Sequence, residues 1–179
     1  EITCRDWSSD VCSSDLLLWY DLDLPDVIAL RKKFIREDDR SKIIATSFSE
    51  KGWLKDIAVR DGILFIAAGV FYYFEAEEIK GFLKALADEF PDGEIVFDVC
   101  SPLGVKTANR MVVKSAGMDE RSFLKWCVAH TRDILSWDER FELLQTLYYF
   151  GDKRLRPRVR LLGAISDWLK IQYMVHLRL

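Results

Sequence analysis

Apolar and polar positions fall into blocks along this chain. Short apolar runs of strand length alternate with segments that carry one apolar and one charged face, the pattern of a parallel sheet covered by helices. From Leu17, LLLWYDLDLP predicts a buried opening strand. Pro25 then sits where a first helical turn tolerates it, and Val27, Ile28, Leu30 and Phe34 give VIALRKKFI its apolar face. KIIATSF from Lys42 reads as a second strand, followed by a short helix around Trp53 to Ala58. The almost wholly apolar ILFIAAGVFYYF reads as a central strand continuing into the site.

EAEEIKGFLKALADEF from Glu75 predicts a helix. Its acids lie in the first turn, its apolar positions are Ile79, Phe82, Leu83 and Leu86, and the turn signal Pro91-Asp92-Gly93 ends it. EIVFDVC from Glu94 supplies another strand, and an irregular stretch runs from Ser101 to Met118. FLKWCVAH from Phe123 reads as a strand, RVRLLGAISDWLKI as a helix and QYMVHLRL as a closing strand. The pattern assigns no element between Thr131 and Phe150, and no internal repeat is visible.

The first sixteen residues, EITCRDWSSDVCSSDL, break the pattern: they are rich in Ser and Asp and show neither period. Within them DWSSDVCSSDL, Asp6 to Leu16, resembles one reading frame of a common sequencing-library adapter, so residues 1–16 are read as a disordered, artefactual leader and 17–179 as a partial domain. This changes the charge count. The whole chain has 26 basic and 29 acidic residues, and taking away one basic and four acidic residues with the leader leaves 25 of each. Such a balance gives no electrostatic footprint for a nucleic-acid backbone and suits a small-molecule partner.

Half of the residues are hydrophobic, enough for one packed core, yet charges interrupt every apolar run before it reaches the roughly 20 residues that cross a bilayer. Cys4, Cys12, Cys100 and Cys127 form no CxxC pair and have no neighbouring His to complete a metal site, which fits a reduced, cytoplasmic protein. Oligomeric state leaves no mark on the sequence.

YDLDLPDVIALRKKFI, IATSFSEKGWL, LFIAAGVFYYFEAEEIK, PDGEIVFDVCSPL, Lys125-Trp126 and the terminal MVHLRL together resemble the leucine carboxyl methyltransferase group of class I S-adenosylmethionine-dependent methyltransferases, which includes O-methyltransferases of polyketide biosynthesis. The resemblance spans 17–179. It implies an α/β, Rossmann-like fold with a mostly parallel sheet and a closing antiparallel strand. It also implies S-adenosylmethionine as cofactor and methyl transfer to the carboxylate or hydroxyl oxygen of a small molecule. Family members begin with a helical section and a first strand ending in a Gly-rich turn, so the chain is read as lacking its first strand and as impaired in activity by that truncation.

Asp23 matches the family acid in an Asp-x-Pro phrase, where a carboxylate accepts bonds from both ribose hydroxyls. On spacing alone that role and a helix N-cap before Pro25 stand level, and the surrounding phrase favours the ribose; Asp21 is the weaker candidate. Ser47 and Phe48 match positions that lie against the adenine, although an ordinary strand end explains them as well. At Ala68 the chain departs from the family, which often carries Glu there. Ala68 and Gly69 can still let backbone approach the cofactor. Tyr72 and Tyr73 are assigned to the methyl-accepting pocket, with core packing as the bland alternative.

Among the remaining residues, His130 is a candidate base for a phenolic acceptor, with a surface role favoured, while His176 reads as structural. Asp98 is expected to cap the turn at Ser101-Pro102, and the basic run Asp152 to Arg160 to form a solvated face. Two other functions compete with the methyltransferase. One is a non-catalytic interaction domain, favoured by Ala68 and the absent glycine turn. The other is a nicotinamide-dependent oxidoreductase, against which the closing strand argues.

Overall fold

The computed structural model describes residues 17–114, 117, 119, 122–149 and 157–179, so the leader lies outside them, as does the start of the basic run at Asp152. The chain divides into two compact units, 1–60 and 61–179.

In the first unit, β1 (Trp19–Asp23) pairs in parallel with β2 (Ser41–Ala45), and α1 (Pro25–Arg31) crosses between them. Pro25 opens α1 because its missing N–H is one that a first turn leaves unbonded anyway. The opening strand is not buried as its composition predicted: Trp19 is 52% exposed. Trp53 and Leu54 are buried from a 3-10 segment, Lys51–Asp56, where a short helix was expected.

The second unit holds a four-stranded sheet in the order β3-β4-β6-β5, with β3 (Leu64–Ala67), β4 (Glu94–Cys100), β5 (Glu142–Tyr148) and β6 (Gln172–Arg178). β3 and β4 are parallel, and β6 runs antiparallel to both β4 and β5, which is the closing strand the sequence predicted. α2 (Ala76–Glu89) begins where the Glu78 carboxylate accepts the Glu75 N–H at 2.9 Å. It buries the predicted Ile79, Phe82, Leu83 and Leu86. These residues form the core with Ile95, Phe97 and Val99 of β4 and Tyr173, Val175 and Leu177 of β6, all six of the latter fully buried. α5 (Pro157–Trp168) precedes β6, as its amphipathic pattern predicted.

Several expectations give way. ILFIAAGVFYYF is a strand only over Leu64–Ala67, and it is an edge strand of this sheet with Leu64 and Ile66 more than half exposed. Gly69 then takes a left-handed φ of 71°, which ends the extended run, and Phe71–Tyr73 turns as a 3-10 segment. FLKWCVAH is not a strand. Its backbone is spent elsewhere: the Lys125 and Trp126 amides both donate to the Tyr72 carbonyl, at 2.7 and 3.1 Å, and the Val128 amide to the Cys100 carbonyl at 2.9 Å.

The stretch read as irregular contains α3 (Pro102–Ala108) continued by a π-type segment, Asn109–Lys114. The unassigned stretch supplies α4 (Thr131–Leu135) and β5. A register shift between Leu143 and Gln145 breaks the alternation of β5 and explains why the period missed it.

Candidate functional site

In open α/β sheets, ligands bind beyond the carboxyl ends of the parallel strands, where turns leave backbone donors unpaired. In the first unit that edge carries Asp23 and the segment after β2. Asp23 is in register with Ala45, each ending its strand, and the Thr46 amide donates to the Asp23 carbonyl at 3.0 Å. Asp23 thus ends β1, and Ser47 and Phe48 follow the paired end of β2.

The two acids of β1 differ in what they have left to offer. Asp21 forms an ion pair with Arg31 at 2.8 Å and its side chain is only 17% exposed. Asp23 uses one carboxylate oxygen to accept the Leu24 amide at 2.8 Å, and its other oxygen has no partner among the described residues. Leu24, not Asp23, holds the N-cap position of α1. Ser47 turns its hydroxyl onto Ser49, at 2.8 Å to the Ser49 hydroxyl and 3.3 Å to its amide. Phe48 is 7% exposed, its ring held inside the fold.

In the second unit the carboxyl edge of the parallel pair β3 and β4 begins with Ala68 and Gly69, both exposed, directly after β3. A Cβ built on Gly69 meets nothing within 4 Å, so the glycine answers its backbone angle and the space over it is open. Behind this turn lies a buried polar cluster around Asp98, which is 3% exposed. One Asp98 oxygen accepts the Gly69 amide at 2.8 Å. The other accepts the Tyr149 hydroxyl at 3.3 Å and the Gln172 side-chain amide at 3.4 Å, and that same amide donates to the Tyr72 hydroxyl at 3.1 Å.

Burial raises the Tyr72 phenol far above its ordinary pKa, with the neighbouring Cys100 and Asp98 adding to the effect, and burial also raises Tyr149. Both phenols therefore remain protonated donors at neutral pH. Tyr72 is 5% exposed, whereas Tyr73 is 44% exposed. Of the two tyrosines assigned to a pocket, Tyr73 has the ring free to meet a ligand.

Asp98 does not cap the following turn. Ser101 does so, its hydroxyl accepting the Gly104 amide at 3.2 Å. The sequence held one clue to the Asp98 cluster: a charge set between the apolar residues Phe97 and Val99 of a strand must find several donors. His130 is exposed at the start of α4, and His176 contacts Glu94 at 2.7 Å across β6 and β4, a structural place. Cys100 is buried and Cys127 half-buried.

At the opposite edge, where β4 begins, lies an open cleft of about 550 Å³ lined by Asp88, Arg140, Glu142 and Arg178 among others. Its cations are already matched: Arg140 lies 2.9 Å from Asp88 and Arg178 lies 2.7 Å from Glu142. We therefore take the carboxyl edge of each unit by itself as a candidate site, Asp23 with Ser47 and Phe48 in the first and the open Ala68–Gly69 turn in the second. Among the described residues there is no cluster of three or more metal-ligating side chains, and no helix is long and apolar enough to cross a membrane.

No protein-family model matches the chain. It is 29% identical over 157 residues to the tetracenomycin polyketide synthesis O-methyltransferase TcmP of Streptomyces glaucescens, an alignment that takes in 84% of this chain and 56% of that protein. The chain thus spans about half the length of the curated relative it matches. Among solved structures it is similar to a DUF574 family protein from Streptomyces avermitilis, with a TM-score of 0.60 and 10% identity over 89% of this chain and 64% of the other. It is also similar to a putative methyltransferase from Thermobifida fusca, with a TM-score of 0.60 and 14% identity over 89% of this chain and 62% of that one. The fold is the Rossmann-like fold of methyltransferases, a mostly parallel arrangement closed by an antiparallel strand.

Proposed function

We propose that the chain comes from an S-adenosylmethionine-dependent O-methyltransferase of the leucine carboxyl methyltransferase group, acting on a carboxylate or hydroxyl oxygen of a small molecule. Residues 17–179 form the partial methyltransferase domain in this reading, and 1–16 stand outside it. The observation that carries the proposal is the likeness to TcmP along 84% of the chain.

The residues present suit the cofactor. Asp23 is the acid for the ribose, because its second oxygen has no partner among the described residues while Asp21 is occupied by Arg31. In the first unit Ser47 and Phe48, after β2, are the residues assigned to the adenine; in the second, Ala68 and Gly69 are assigned to the cofactor, with open space over the Gly69 backbone. When bound, S-adenosylmethionine supplies a methyl group on a sulfonium sulfur, an electrophilic carbon for an oxygen nucleophile. The chain's own work is then alignment of the acceptor and exclusion of water. A carboxylate acceptor needs no base. Tyr73 offers an exposed ring to the acceptor, while Tyr72 supports it from within.

A second reading, a non-catalytic interaction domain built on this fold, is favoured by Ala68, which offers the cofactor no charge. Isothermal titration of S-adenosylmethionine and S-adenosylhomocysteine into the chain decides between them. Saturable binding that Asp23→Ala weakens supports the methyltransferase, and absence of binding to the folded chain favours the interaction domain.

A further inference from the structure

Asp98 is costly where it stands. A carboxylate 3% exposed in β4, beside the fully buried Phe97 and Val99, must recover its lost hydration from protein donors. It does so at one edge of the sheet, from separate parts of the chain: the Gly69 amide after β3, the Tyr149 hydroxyl after β5 and the Gln172 amide at the start of β6. The shortest of these bonds, 2.8 Å, goes to the backbone of an exposed turn with open space over it. Glycine is free to take many backbone shapes, so a buried carboxyl that accepts its amide at that distance selects one of them for the turn.

We infer that Asp98 is a positioning residue that locks the Ala68–Gly69 turn, through the Gly69 amide, in the shape that receives the cofactor. This rests on the methyltransferase reading above. The side chain itself does not touch the ligand. It acts from beneath, and with Gln172 and Tyr149 it ties the turn to β5 and β6. In this role it takes the place of a charged contact from position 68: order in the turn replaces a direct bond to the ligand.

Three variants of the full chain test the lock, with S-adenosylhomocysteine affinity by calorimetry and Gly69 amide exchange by NMR as readouts. Asp98→Asn keeps the shape but cannot serve every donor at once. It should weaken binding about tenfold or more and speed Gly69 exchange. Val99→Ala, which loosens the same strand without touching the lock, should lower Tm yet leave affinity within about twofold. Gly69→Ala disturbs only the turn, since its methyl enters open space, and should weaken binding even if Asp98→Asn fails to fold.

Unchanged affinity in Asp98→Asn or Gly69→Ala, or an equal loss in Val99→Ala, overturns the inference while the function stands. If the unaltered chain binds nothing, the methyltransferase reading fails, and the inference falls with it.

Discussion

Gly104, in the first turn of α3, is pressed against the backbone carbonyl of Ile171, and a Cβ there would collide with that oxygen. Neither partner can withdraw. The Ser101 amide is bonded to the Lys170 carbonyl at 3.2 Å, and Cys100 is paired with Gln172 in the ladder between β4 and β6. Alanine would gain up to ~1 kcal/mol of helix propensity, but overpacking against fixed backbone costs more. We expect Gly104→Ala to lose about 2 kcal/mol of stability in denaturant unfolding. A neutral or stabilised variant would show that α3 can slide.

Phe71 is 1% exposed and meets the rings of Phe97, Phe82 and Trp126 at centroid separations of 5.3, 6.1 and 6.1 Å. It joins β4, α2 and the segment after Phe123 in one aromatic cluster. Phe71→Ala should cost about 3–5 kcal/mol, measured by chemical unfolding, whereas the neighbouring and exposed Tyr73→Ala should cost under about 1 kcal/mol. Equal losses at the two positions would mean that this turn packs differently.

The contrast between Phe71 and Ile79 shows what was legible in the sequence. Ile79, Phe82, Leu83 and Leu86 recur at helical spacing with polar residues between them, so α2 and its buried face follow from local pattern alone. From Ile63 to Phe74 nearly every residue is apolar, so no period marks where β3 stops; Gly69 and two amides donated from Lys125 and Trp126 decide it. Asp98 is harder still. Its donors lie 29, 51 and 74 residues away, and a local reading could only offer it the nearest turn. Asp23 and Ala68 were named as candidates from the family resemblance, since spacing alone left Asp23 level between a ribose ligand and a helix cap.

Asp21 and Asp23 provide a comparison within one strand. Asp23→Ala should weaken S-adenosylhomocysteine binding about tenfold or more, as loss of a bond to a charged group implies. Asp21→Ala removes a half-buried ion pair with Arg31 and should lower Tm with little change in affinity. Calorimetry and thermal unfolding of both variants separate the roles. The reverse pattern would hand the ribose to Asp21.

Asp138 gives the pH dependence. Its carboxylate accepts the Arg140 side chain at 2.9 and 2.8 Å and the Arg140 amide at 3.2 Å, and these bonds hold its pKa well below the usual carboxylate range, side-chain bonds first. A folded-state pKa below the unfolded one means that the unfolded chain binds the proton more readily. The stabilisation is therefore complete above the ordinary carboxyl value near ~4 and is lost progressively as pH falls from there towards the folded pKa. Asp138→Asn should accordingly lower Tm at pH 7 by a few degrees, and the gap to the unaltered chain should narrow steadily in acid. Added salt should narrow it too, because Arg140 is 42% exposed and its other partner, Asp88, is 70% exposed. A gap that stays constant from neutral pH into acid would mean that Asp138 acts through the shape of the turn before β5, and that its charge contributes nothing.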